Sequence, residues 1–404
     1  MRKYARLIVR KGANVQKGQG VYVRAAVERN DFVKLVVEEA YRAGAGWVTV
    51  EWDSQDLTKL AYRHRTVKSL SNIPSWQIEK YKHQVETLPA VIRIVSEDPD
   101  GLKGINQEKM QKVSMATYVQ IKPYLDELDN KYQWVIAGIP SPKWAKKVFP
   151  NERTSKAIEM LWEAILASTR VTEDNDPELA WDDHNENFKA KCDKLNSYKL
   201  KSIHYTSANG TDLTVGLIPG ALWMGGGETA LNGVYFNPNM PTEEIFTSPM
   251  AGQAEGIVYS TKPLSYRGQL IENFSITFKD GKAVSWKAEK GEELLTKMLT
   301  MDEGSAMLGE TALIPYDSPI NDLGILFYNT LYDENASCHL AMGRGFTNVL
   351  PDYADLTTEQ AKERGINSSA NHVDFMIGTR DLCITGLTED GKEIKIFENG
   401  NWAI

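Results

Sequence analysis

The chain is short of the residues that announce chemistry by themselves. It has three cysteines and six histidines in 404 residues. Cys192, Cys338 and Cys383 form no CxxC pair and no even framework, which excludes a thiolate zinc site and a disulfide scaffold and suits a reducing compartment. No apolar run approaches the ~20 residues that cross a bilayer. The amino terminus, "MRKYARLIVRKGANVQKG", has no apolar core with a small-residue cleavage site, so no signal peptide is expected and the cytoplasm is the expected location. Neither GxGxxG nor GxxxxGK[ST] occurs, and "RKGANVQKGQG" lacks their spacing, so nucleotide binding has little support. There is no basic cluster and the net charge is −8, which argues against a nucleic-acid surface.

What remains is a globular composition, 42% hydrophobic and 25% charged. At this length two domains are the default. The first half alternates strand and helix. "GQGVYVRAAV" (Gly18–Val27) reads as a strand, "DFVKLVVEEAYRAGA" (Asp31–Ala45) as an amphipathic helix capped by Asp31 with Gly44 near its end, and "GWVTVEW" as the next strand. From about Tyr198 the texture becomes that of hairpins, around Asn209-Gly210, around Asp280-Gly281 and at the carboxyl end. The expected fold is an N-terminal α/β domain with a mostly parallel sheet over residues 1–196. A β-rich α+β domain is expected over residues 197–404.

The chemistry concentrates in the second half. In "NHVDFMIGT" (Asn371–Thr379), a strand pattern, His372 and Asp374 are two apart and share a face. A buried carboxylate needs a partner, and a metal ion also accepts imidazole. For that pair taken alone, a plain His–Asp hydrogen bond at a sheet edge is the better explanation. "LGETALIPYDSP" (Leu308–Pro319) puts Glu310 at the mouth of an apolar strand, where an ordinary strand-end glutamate is the default reading for the residue alone. "NPNMPTEEIFTSP" (Asn237–Pro249) carries Glu243 and Glu244 after Pro241, and a helix first turn capped by Thr242 is the plainer reading. "LYDENASCHLAMGRG" (Leu331–Gly345) sets His339 among small apolar neighbours. His64, His83, His184 and His204 read as polar-surface or strand histidines, His184 on a solvated helix face. Together these segments offer the oxygen and nitrogen donors of a hydrolytic two-metal site, if the fold makes them converge.

"PTEEIFTSP", "LGETALIPYDSPI", "FYNTLYDENASCHLAMG" and "NSSANHVDFMIGT", with the opening "KYARLIVRKGANVQKGQGVYVRA", resemble the blocks of the thermophilic metallo-aminopeptidase family over essentially the whole chain. That resemblance implies a two-metal exopeptidase, usually a homodimer, acting on peptides with a free amino terminus. Cobalt or zinc is the implied metal, with magnesium or manganese as alternatives. Carried over by motif, it implies metal ligands at Glu244, Glu310, His339, His372 and Asp374, with Glu310 bridging. Glu243 is the candidate general base and Glu310 its competitor. One position departs from the family pattern: a tyrosine commonly found there is Phe346 here, in "GRGFTNVLPDY". The loss of that hydroxyl leaves two alternatives open, a two-metal hydrolase of another small amide and a catalytically idle metal- or peptide-binding homologue.

Overall fold

The computed structural model describes residues 1–404 as two compact units. One comprises Met1–Asp183 with Gly227–Pro241, the other His184–Gly226 with Thr242–Ile404. No helix is long and apolar enough to cross a membrane.

The first unit is built on a five-stranded parallel sheet. Its order is Asn239–Met240, Trp134–Gly138, Ala90–Val95, Gly20–Ala26 and Trp47–Asp53. The expected βαβ unit is present, with a helix over Asn30–Ala43 between its two strands. The cap differs from expectation. Arg29 holds the N-cap position without a side-chain cap, and Asp31 lies in the first turn, paired to Arg29 at 3.0 Å. Its carboxylate near the positive end of the helix dipole is favourable there without accepting a capping bond. Gly44 ends the helix in the left-handed conformation, φ 98°. The helices Gln55–His64, Val67–Ser71, Ser75–Thr87 and Gln107–Leu128 bury almost nothing.

The second unit is antiparallel. A nine-stranded sheet contains the three expected hairpins, and Asp280 and Gly281 adopt positive φ (50° and 74°), the pattern of a type I′ turn. A second sheet runs in the order His372–Met376, His339–Gly343, Leu308–Leu313, Ile245–Thr247 and Met224–Gly225. Its residues Leu313, Leu340, Met342, Val373, Phe375 and Ile245 share one core with Ile203, Val215, Val258, Phe274 and Ile384 of the larger sheet. Strand side chains alternate with period two, so whatever stands between those apolar residues projects from the opposite face.

Candidate metal centre

That opposite face carries the polar residues. Ala341 on the His339–Gly343 strand is paired with Glu310 on one side and Asp374 on the other, so all three face the same way. His339 and His372 are each two residues earlier on their strands and keep the same face. Glu244 immediately precedes the strand Ile245–Thr247, two residues before Phe246, which pairs with Ala312 on this face. Thr242–Glu244 are not helical, so the helix-turn reading of that segment fails.

A β-bulge makes the arrangement possible. The register shifts between Leu308 and Glu310, so Leu308 opposite Met342 joins the core while Glu310 opposite Ala341 faces the polar side. Without the extra residue both would share a face. The residue between them is Gly309, where a Cβ would lie 2.3 Å from the carbonyl oxygens of Gly343 and Arg344. Glu310 therefore stands within its strand, buried, and not at the strand mouth.

Two groups of donor atoms result, each within 4.8 Å: Glu244, Glu310 and His339, and Glu310, His372 and Asp374. Glu310 belongs to both. His339 Nε2 is 3.4 Å from Glu244 Oε2, and His372 Nε2 is 3.1 Å from both Glu310 Oε2 and Asp374 Oδ1. Both imidazoles spend their other nitrogen alike. His339 Nδ1 donates to the Glu334 carbonyl at 2.9 Å, and His372 Nδ1 to the Arg344 carbonyl at 2.7 Å. A carbonyl can only accept, so Nδ1 carries the hydrogen and a neutral ring turns the Nε2 lone pair towards carboxylate oxygens. Two lone-pair bearers at that distance need a proton or a cation between them. Carboxylate oxygens and imidazole nitrogens oriented by backbone carbonyls suit a divalent metal ion.

In the protein without metal, a proton takes this role at His372. Burial would lower its pKa, but the charges and hydrogen bonds of Asp374 and Glu310 lift it well above the usual imidazole range. Burial would raise Asp374, but the His372 charge and hydrogen bond bring its carboxyl down to about 2. Glu334, which the sequence reading did not single out, belongs to this cluster. Burial and then the charges of Asp374, Glu244 and Glu310 push its carboxyl well up. The signal available was its place in an acid pair just before His339. The other member, Asp333, is structural: its carboxylate accepts the N–H groups of Phe327 and Asn329 at 2.7 and 2.9 Å, and burial raises it to about 7.

An apolar wall adjoins the donors. The Phe346 ring lies 4.9 Å from that of His372 and 5.4 Å from that of Phe246. Ser248 Oγ holds the Phe346 backbone, accepting from its N–H at 2.8 Å and donating to its carbonyl at 3.3 Å. Glu243 is buried beside Glu244, and its charge acts on the ammonium of Lys191. His184, expected on a solvated face, instead turns its Nε2 to the Thr242 carbonyl at 2.9 Å.

Comparison with known proteins decides the family. The thermophilic metalloprotease family M29 matches residues 1–402. The chain belongs to that family. Family membership makes the chain a metal-dependent hydrolase. It is 45% identical over 401 residues to aminopeptidase AmpS of Bacillus subtilis (strain 168), covering 99% of this chain and 97% of that one. It is 38% identical to aminopeptidase T of Thermus thermophilus over 405 residues, 100% of this chain and 98% of the other. The solved structure of wild-type AmpT from Thermus thermophilus superposes with a TM-score of 0.89 at 37% identity, covering 100% and 98% of the two chains. The mixed α/β architecture is thus that of the family.

Proposed function

We propose that this chain is an aminopeptidase that hydrolyses the first peptide bond of peptides with a free amino terminus, using two divalent ions. The observation that carries the reading is the pair of donor groups sharing Glu310. Two ions need a shared anionic ligand to offset their mutual repulsion, and a central buried carboxylate is suited to it.

Glu244 and His339 would hold one ion, His372 and Asp374 the other, with Glu310 available to both. Bound there, divalent ions supply Lewis acidity for a scissile carbonyl and acidify a water molecule. The remaining work belongs to the chain. The Glu334 and Arg344 carbonyls keep both imidazoles with Nε2 inward. Phe346 and Phe246 shield one side from water, which strengthens the electrostatic interactions within. A carboxylate takes the proton of the attacking water; we assign this to Glu243, with Glu310 as the alternative. Cobalt or zinc is the proposed metal, since both accept mixed imidazole and carboxylate ligands. The implied homodimer is proposed with it, and sedimentation of the purified protein tests it.

The test is turnover of aminoacyl chromogenic substrates with and without cobalt or zinc, beside metal analysis of Glu243→Gln. Chelator-sensitive turnover, with Glu243→Gln retaining metal but losing rate, supports the reading. Two bound ions without turnover on any peptide would favour the idle homologue that Phe346 suggests.

A further inference from the structure

Glu243 and Glu244 sit on a segment with no helix of its own, so something must set the direction in which their side chains leave the backbone. The peptide group joining Thr242 to Glu243 is held at both edges. Its carbonyl accepts from His184 Nε2 at 2.9 Å, and its N–H donates to Asn335 Oδ1 at 2.6 Å. A rigid peptide plane turns as a unit, so any rotation breaks both bonds together. The orientation of the plane then fixes how the chain enters Glu243, and Glu244 is left between that held plane and the strand that begins at Ile245.

Each holder is itself fixed. Asn335 is fully buried, its amide donates to the Leu331 carbonyl at 3.0 Å, and its own carbonyl accepts from Ser318 Oγ at 3.2 Å. Its neighbour Glu334 provides the carbonyl that orients His339. One tight turn, Glu334–Ala336, therefore holds both His339 and Glu243, the residue before Glu244. On the other side, His184 packs edge-on against Phe188, ring centroids 4.5 Å apart. Lys191, two helical turns beyond His184 on the same face, is the cation that the Glu243 charge acts upon.

We infer that Asn335 and His184 are positioning residues that fix the Thr242–Glu243 peptide plane and so set the geometry of the Glu244–His339 half of the metal centre. Neither touches the other half directly through these bonds. The inference rests on the two-ion reading above.

The test is competition for zinc against a chromophoric chelator, giving two dissociation constants per chain, together with cobalt absorption spectra and melting of the metal-free proteins. Asn335→Ala and His184→Ala should weaken one ion by ~10–100-fold, the usual cost of removing an outer partner of a metal ligand, and leave the other near its parental value. His184→Gln, whose amide can still donate to the Thr242 carbonyl, should recover most of the loss. If Asn335→Ala does not fold, the His184 pair decides. Parental affinity at both ions in folded alanine variants, or equal weakening at both, overturns the inference. A parent chain that binds no divalent ion overturns the two-ion reading, and the inference falls with it.

Discussion

Phe346 lays its ring against the imidazole of His372, centroids 4.9 Å apart and planes tilted by 52°. With its backbone held by Ser248, a ring in this place must sit beside the donor cluster. A hydroxyl added to that ring is the smallest change that supplies a proton donor at the edge of the site. Phe346→Tyr is therefore expected to keep parental metal content and to raise turnover on simple aminoacyl substrates. The ceiling is ~10²-fold, the scale of one oxyanion donor. Steady-state kinetics with metal analysis check this. Unchanged or lower turnover at full metal content would mean the site has reorganised around phenylalanine.

Glu310→Gln is nearly isosteric but neutral, and Glu310 belongs to both donor groups. We expect loss of one ion and a fall in rate of at least ~10²-fold, with the fold intact. Melting temperature should drop only as far as bound metal had supported it. Metal content and turnover measured on one preparation decide the matter. Two ions at near-parental rate would remove Glu310 from the mechanism.

Ala341 stands in register between Glu310 and Asp374 and is completely buried. A larger side chain there would occupy the space between the two carboxylates. Ala341→Leu should cost about 1–3 kcal/mol of stability through overpacking, measured by denaturant unfolding. It should also lower zinc affinity by more than Ala341→Gly does. Equal affinity in the leucine variant would show that the ions do not lie over this position.

The pH dependence of the metal-free protein follows from the His372–Asp374 pair. His372 is raised in the folded state, so its contribution to stability is complete below its unfolded value of about 6.5 and disappears as pH rises through the folded value. Asp374 is depressed to about 2, so its contribution is present above about 3.9 and disappears as pH falls towards 2. Asp333 and Glu334 are raised as well, so their contributions are complete below about 4 and disappear as pH rises through the folded values. Stability of the metal-free chain should thus decline from pH ~4 upward, measured by urea unfolding at successive pH values. His372→Asn should flatten the part of that decline above about 6.5. Zinc should compete with the proton on His372 Nε2, so affinity should improve over the same range in which stability falls.

Much of the architecture was legible because it rests on local signals. The βαβ pattern of Gly20–Asp53 and the hairpins at Asn209-Gly210 and Asp280-Gly281 each follow from residues close in sequence. The helices Ser75–Thr87 and Gln107–Leu128 bury so little that their sequences need no strong apolar stripe, whereas Leu57, Leu60 and Ala61 do line one side of Gln55–His64. Asp31 differs from a cap because an acid at a helix start serves the dipole equally well two residues further in.

The residues of the two candidate clusters were likewise marked by patterns in the chain: His-x-Asp on a strand, a glutamate pair after a proline, and a lone histidine among small residues. Their convergence was not. Pairing of the His339 strand with those of Glu310 and Asp374 joins segments far apart in sequence, and no local propensity encodes such a register. The bulge at Gly309 decides which face Glu310 takes, and only the close approach of the Gly343 and Arg344 carbonyls explains the glycine. Glu334, Asn335 and His184 acquire their roles from neighbours that tertiary packing brings to them. Side-chain chemistry is a property of residue type, whereas a site is a set of distances, and those are fixed only when the strands pair.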